Sequence, residues 1–144
     1  MRTFSLKEAQ DMLPVLESLL RGSMKAKQEI EEIDGEFQKL STQIFIDGGR
    51  FVDVPYWAHR RAQREKALQR AKDALAEINA IGVQVKDLDT GLLDFPCKVG
   101  DDIILLCWKL GETAINFWHG MEEGFAGRKP IDESITGGKS GPIH

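Results

Sequence analysis

His119, Glu122, Glu123 and Arg128 fall within ten residues, in the segment NFWHGMEEGFAGRKPID from Asn116 to Asp132. An imidazole beside carboxylates is a ligand set for zinc, iron or manganese. The metal candidate is His119 with Glu122 or Glu123, joined by Asp94 or Asp87 from the preceding segments. A second candidate is an anion or small-ligand site. Arg128, Lys86 and the backbone N–H groups of GFAGR would form its basic concavity. Against both stands a structural corner, in which His119 and the acids hydrogen-bond around Arg128. There an Arg128–Asp94 or Arg128–Glu112 ion pair pins the loop. Carboxylates outnumber bases in this half of the chain, which favours the ion pair. His119 is the one clear histidine candidate, since His59 lies on a helix and His144 in the tail.

No Ser-His-Asp or Cys-His arrangement emerges, so no catalytic residue is assigned and the reading leans away from an enzyme. Cys107 sits in the apolar run IILLCW, the setting of an inert thiol. Cys97 and Cys107 fit no Cys-x-x-Cys pattern, and both are expected to be buried, reduced and unbridged.

The elements that must position these residues fall into two halves. Residues 5–82 read as two helices. SLKE is a capping box, with Ser5 and Glu8 satisfying each other's backbone N–H. Apolar residues follow at 3–4 spacing from Leu6 to Leu20 and from Ile30 to Ile44. Gly22, Ser23, Lys25 and Lys27 weaken the stripe between the two runs, and Pro14 is expected to bend the helix. IDGGRFVDVP breaks the helix. A second stripe then runs Trp57, Arg61, Arg64, Leu68, Ala71, Leu75, Ile78, beginning near Tyr56 and capped by Gly82. Narrow stripes joined by one turn predict an antiparallel, coiled-coil-like hairpin. The acidic EIEEIDGE (Glu29 to Glu36) would lie beside the basic HRRAQREKALQRAK (His59 to Lys72).

Residues 83–119 read as strand. VQVKDL, LLDFPCKV, DIILLCWKL and TAINFWH predict an antiparallel meander. IILLCW is apolar on both faces and therefore central. Pro96 calls for a free edge or bulge. A two-residue turn at Gly100-Asp101 sets Asp94 across from Cys107 and Cys97 across from Ile104. The same count through Gly111-Glu112 sets Asn116 beside Cys107. ESITGGKSGPIH is a Gly/Ser/Pro-rich tail, expected to be loosely ordered. Its GGKS fails as a phosphate loop, because the motif's first glycine would fall at Glu133.

A net charge of −4 argues against nucleic acid and anionic membranes as partners. The basic run of the second helix has an acidic block to pair with and no interleaved aromatics for base stacking. The longest apolar run, Ile103 to Trp108, is too short to span a bilayer. The N-terminus lacks the apolar core of a secretion signal, so a cytoplasmic protein is expected.

GVQVKDLDTGLLDFP, LCWKLGE and WHGMEEGFAGRKP, with the opening FSLKEAQDMLPVL, resemble a bacterial family of uncharacterised small proteins, domain of unknown function 2203. The resemblance covers nearly the whole chain apart from the interhelical loop and the tail. It implies a helical hairpin with a small C-terminal β-region and no established activity. The family-typical polar positions map to Lys86, Asp87, Asp94, Glu112, His119 and Arg128.

The expected fold is therefore α+β: a long antiparallel helical hairpin, a small antiparallel β-meander and a C-terminal loop. Residues 1–132 form a single domain and residues 133–144 a tail. The expected function is an interaction or scaffold protein that self-associates through its hairpin and sheet, a dimer being favoured. Trp57, Trp108 and Trp118 supply apolar area, and a protein partner is an open alternative. The competing function is a small-ligand or metal-binding protein, or an enzyme, with a polar site around His119, Glu122, Asp94 and Arg128. A divalent metal is its candidate cofactor.

Overall fold

The computed structural model describes residues 1–49 and 51–136. GGKS and His144 lie outside the described residues. Helix α1 (Leu6–Asp47) and helix α2 (Val54–Ile81) are followed by strands β1 (Gln84–Asp87), β2 (Leu92–Val99), β3 (Asp102–Lys109) and β4 (Phe117–Gly120). A single 3-10 turn (Phe125–Gly127), strand β5 (Lys129–Pro130) and the short helix α3 (Glu133–Thr136) complete the order. The fold is α+β, with two long packed helices and a five-stranded antiparallel meander in the order β1-β2-β3-β4-β5. Among the described residues no helix is long and apolar enough to cross a membrane.

The chain divides into two compact units, residues 21–74 and the remainder. In the first, α1 and α2 run antiparallel. Ala26, Ala67 and Ala71 are buried with Ile30 packed against them. Small side chains let the two backbones approach. Ser23 and Ala26 are buried, so the stripe of α1 continues through the stretch that the sequence marks as weak. On α2 the expected stripe holds at the half-buried Arg64 and Leu68 and the buried Ala71. Ala67 is buried beside Leu68, and Arg60 faces inward rather than the exposed Arg61. Arg60 and Arg61 both keep 3–4 spacing to Trp57 and Arg64, so periodicity alone does not choose between them. The expected acid–base match is present. Arg60 pairs with Glu36, Arg64 with Asp34 at 2.6 Å and Arg70 with Glu29 at 2.5 Å. Asp53 caps α2, its carboxylate accepting from the Tyr56 N–H at 3.1 Å.

In the second unit the capping box forms as expected. The Ser5 N–H donates to Glu8 and the Glu8 N–H to Ser5, at 3.0 and 3.1 Å. Phe4 packs edge-on against Phe95, with centroids 5.8 Å apart. Its N–H donates to the Pro96 carbonyl at 2.7 Å. β1 has ended before it reaches Pro96. The donor that proline lacks therefore falls on an edge that only this N-terminal segment meets. Gly82, at φ 105°, closes α2, and the Val83 N–H reaches back to the Ile78 carbonyl. β3 is central, buried from Ile104 to Trp108.

Candidate functional site

Register decides which side chains meet. Asp94 pairs with Cys107, and Cys97 with Ile104, through the two-residue turn at Gly100-Asp101. The β3–β4 connection is one residue longer than the sequence count allowed. Phe117, not Asn116, stands opposite Cys107, and His119 stands opposite Leu105. The connection is a seven-residue loop from Leu110 to Asn116 that buries Ile115, rather than a tight turn at Gly111-Glu112. A one-residue shift moves every side chain to the other face. Here it brings His119 onto the face that carries Asp94 and Cys107.

The three form a buried cluster, with Asp94 2%, Cys107 1% and His119 2% exposed. Asp94 and Cys107 meet as a non-hydrogen-bonded pair, the closer kind. Pro96, of the same parity as Asp94, turns its carbonyl away from β3 toward Phe4. His119 Nε2 lies 3.1 Å from Asp94 Oδ1, and Nδ1 lies 2.9 Å from the Gly120 carbonyl. A carbonyl only accepts, so Nδ1 carries a proton. One further proton must then sit between Nε2 and the carboxylate. Either the imidazolium faces a carboxylate or a neutral ring faces a carboxylic acid, and the pair is neutral in both cases. Burial pushes the Cys107 thiol up to about 12, and the neighbouring Asp94 adds to the shift. The thiol is thus neutral, and unreactive as a nucleophile.

Arg128 lies beside this cluster on the same face. Its guanidinium donates to both oxygens of Glu112 at 2.8 Å. It is layered between Phe117, 4.0 Å away, and Phe125, 4.6 Å away. Of the two ion pairs the sequence left open, Arg128–Glu112 is the one that forms. Glu112 is itself fixed, because it also accepts from the Lys109 N–H at 2.7 Å. Arg128 Nε is buried without a hydrogen-bond partner.

The remaining candidates are elsewhere. Glu122 is exposed in the turn after β4. Glu123 accepts from the Gly120 N–H at 2.8 Å and from Lys129 at 2.6 Å. Lys86 is exposed at the irregularity between Val85 and Asp87. Asp87 accepts from the Asp89 N–H in the β1–β2 turn. Gly120 and Gly127 matter for space rather than for backbone freedom, and Gly124 stands in open space. Neither Gly124 nor Gly127 has a positive φ. A Cβ on Gly127 would lie 2.9 Å from the Glu123 carboxylate, and one on Gly120 at 3.0 Å. Sequence reasoning missed Cys107 as a member of the polar cluster, although the Asp94–Cys107 register was itself a signal for it.

A second exposed feature belongs to the helical unit. At the hairpin tip Phe45, Ile46, Phe51, Val54 and Tyr56 are 87%, 72%, 104%, 68% and 45% exposed. Of these, Phe51 lines a groove of about 480 Å³ together with Leu40, Val52 and Trp57.

A family model described as "Uncharacterized conserved protein (DUF2203)" matches residues 2–131. No curated protein and no solved structure matches.

Proposed function

The chain belongs to that uncharacterized family, which prescribes no activity, and on this premise we propose that it is an interaction protein that forms a dimer through its hairpin tip. The observation that carries the reading is the run of exposed apolar side chains from Phe45 to Tyr56. Largest apolar patches on ordinary monomers measure about 300–600 Å². Two fully exposed phenylalanines alone present roughly 300–400 Å². With Ile46, Val54 and Tyr56 added, two copies approach the ~1,200 Å² of a small stable interface. Phe51, 104% exposed, lines the same groove as Leu40 and Trp57, so its open ring and the groove belong to one surface that a second copy could cover. That is the requirement for a two-fold, self-complementary contact. The lining also carries Lys39 with Glu36 and Asp53, which suits a polar rim. Two buried free thiols fit a reducing compartment, and we place this activity in the cytosol.

The test is an interchain contact. With Ile46→Cys, mild oxidation should yield a disulfide-linked dimer in high yield. With Asp101→Cys, at the exposed β2–β3 turn, it should not. Equal yields from both positions, or none from Ile46→Cys, would overturn the tip-to-tip arrangement.

A further inference from the structure

We propose that Asp94, Cys107 and His119 bind one divalent transition-metal ion of the zinc class through a carboxylate oxygen, Sγ and Nε2. Three neighbouring strands each supply one donor, and the three ligand atoms lie within 4.8 Å of one another. Zinc bonds of about 2.0–2.3 Å place tetrahedral ligands roughly 3.3–3.7 Å apart; Asp94 Oδ1 and His119 Nε2, 3.1 Å apart, are already near that spacing, and any wider pair of the trio closes by at most about 1–1.5 Å. Side-chain rotation supplies that much.

The histidine is already set for this role. Its Nδ1–H is engaged by the Gly120 carbonyl, which leaves Nε2 as the ligating nitrogen and fixes the ring plane. Such an outer hydrogen bond accompanies almost every metal-bound histidine. Charge balance agrees. Carboxylate, thiolate and neutral imidazole around M²⁺ sum to zero, so the loaded site buries no net charge, which removes the usual obstacle to such a site. The thiolate selects zinc, cobalt or iron over magnesium and calcium. Three protein ligands leave a fourth position open, the pattern of catalytic rather than structural zinc.

Cobalt titration of the full chain tests this. Tetrahedral Co²⁺ absorbs in the visible, and a thiolate ligand adds a charge-transfer band in the near ultraviolet. The expected result is one Co²⁺ per chain with both signatures, displaced by one equivalent of Zn²⁺. In Cys97→Ala the only remaining thiol is Cys107, and the charge-transfer band should persist. This arm does not depend on altering a proposed ligand. His119→Ala should weaken binding by more than the ~10–100-fold that loss of an outer partner brings. Cys107→Ala should abolish the band. Absence of the band in the unaltered chain, its loss in Cys97→Ala, or its survival in Cys107→Ala overturns the proposal.

Discussion

Asp94 and His119 face each other from two strands that are not neighbours, 3.1 Å apart across the central strand and almost wholly buried. Cys107, on the strand between, completes the row. Each heteroatom has a partner or shares a proton, so the cluster is stable as it stands and neutral overall.

Arg128 anchors the segment after β4. Its side chain is 13% exposed and that of Glu112 is 23%. Arg128→Ala leaves Glu112 without its cation and Phe117 without its cover. The expected loss is about 2–3 kcal/mol, between surface and buried values. Denaturant melting measures it, and an unchanged midpoint would mean the clamp carries no stability.

Gly127→Ala should destabilise by up to about 1 kcal/mol, since its Cβ would push the exposed Glu123 side chain off its bonds to the Gly120 N–H and Lys129. Gly124→Ala, with nothing within 4 Å, should be close to neutral. Equal effects in a paired thermal melt would point to backbone freedom and away from crowding.

The hairpin seam passes through Ala67. Ala67→Glu places a charge where the helices touch and should cost about 3 kcal/mol or more. Arg61→Glu, on the exposed face, should leave the helical signal nearly unchanged. Circular dichroism against urea separates the two, and the opposite ranking would place Arg61 in the seam.

Acid should loosen the ion-paired surfaces in a defined direction. The Arg64 hydrogen bond holds Asp34 below the ordinary carboxylate value, the Arg60 and Tyr56 bonds do so for Glu36, and Lys129 with the Gly120 N–H for Glu123. A depressed folded pKa gives stability that is present above the unfolded value. It is lost as pH falls through that value toward the folded one. Urea midpoints should therefore hold from neutral pH down to about 5 and fall below it. In Asp34→Asn/Glu36→Gln that fall should be shallower. An unaltered slope would show that these exposed pairs contribute nothing.

What the sequence made legible followed from local chemistry. The Ser5–Glu8 box, the Gly82 cap and the acid–base match of the helices each depend on a few adjacent residues. The Gly100-Asp101 turn carried the β2–β3 register, and with it Asp94 opposite Cys107. The β4 register was not legible, because Ile115 is drawn into the core and lengthens a connection that glycine placement alone suggests is tight. β5 spans only Lys129–Pro130, too short for any alternation to appear. Cys107 was hidden by its neighbours. An apolar strand reads as inert, while the polar partners that redefine its face come from 13 residues before and 12 after it. Glu122 shows the reverse, since nearness to His119 in sequence did not bring it to the cluster.

Sedimentation equilibrium over a dilution series tests the proposed function most directly. The chain has a mass of 16.1 kDa. The parent protein should sediment with twice that mass at micromolar concentration, and Phe45→Glu/Phe51→Glu should sediment as the monomer with its helical content intact. A parent protein that stays at the monomer mass throughout the series, or a double variant that remains dimeric, would contradict self-association through the hairpin tip.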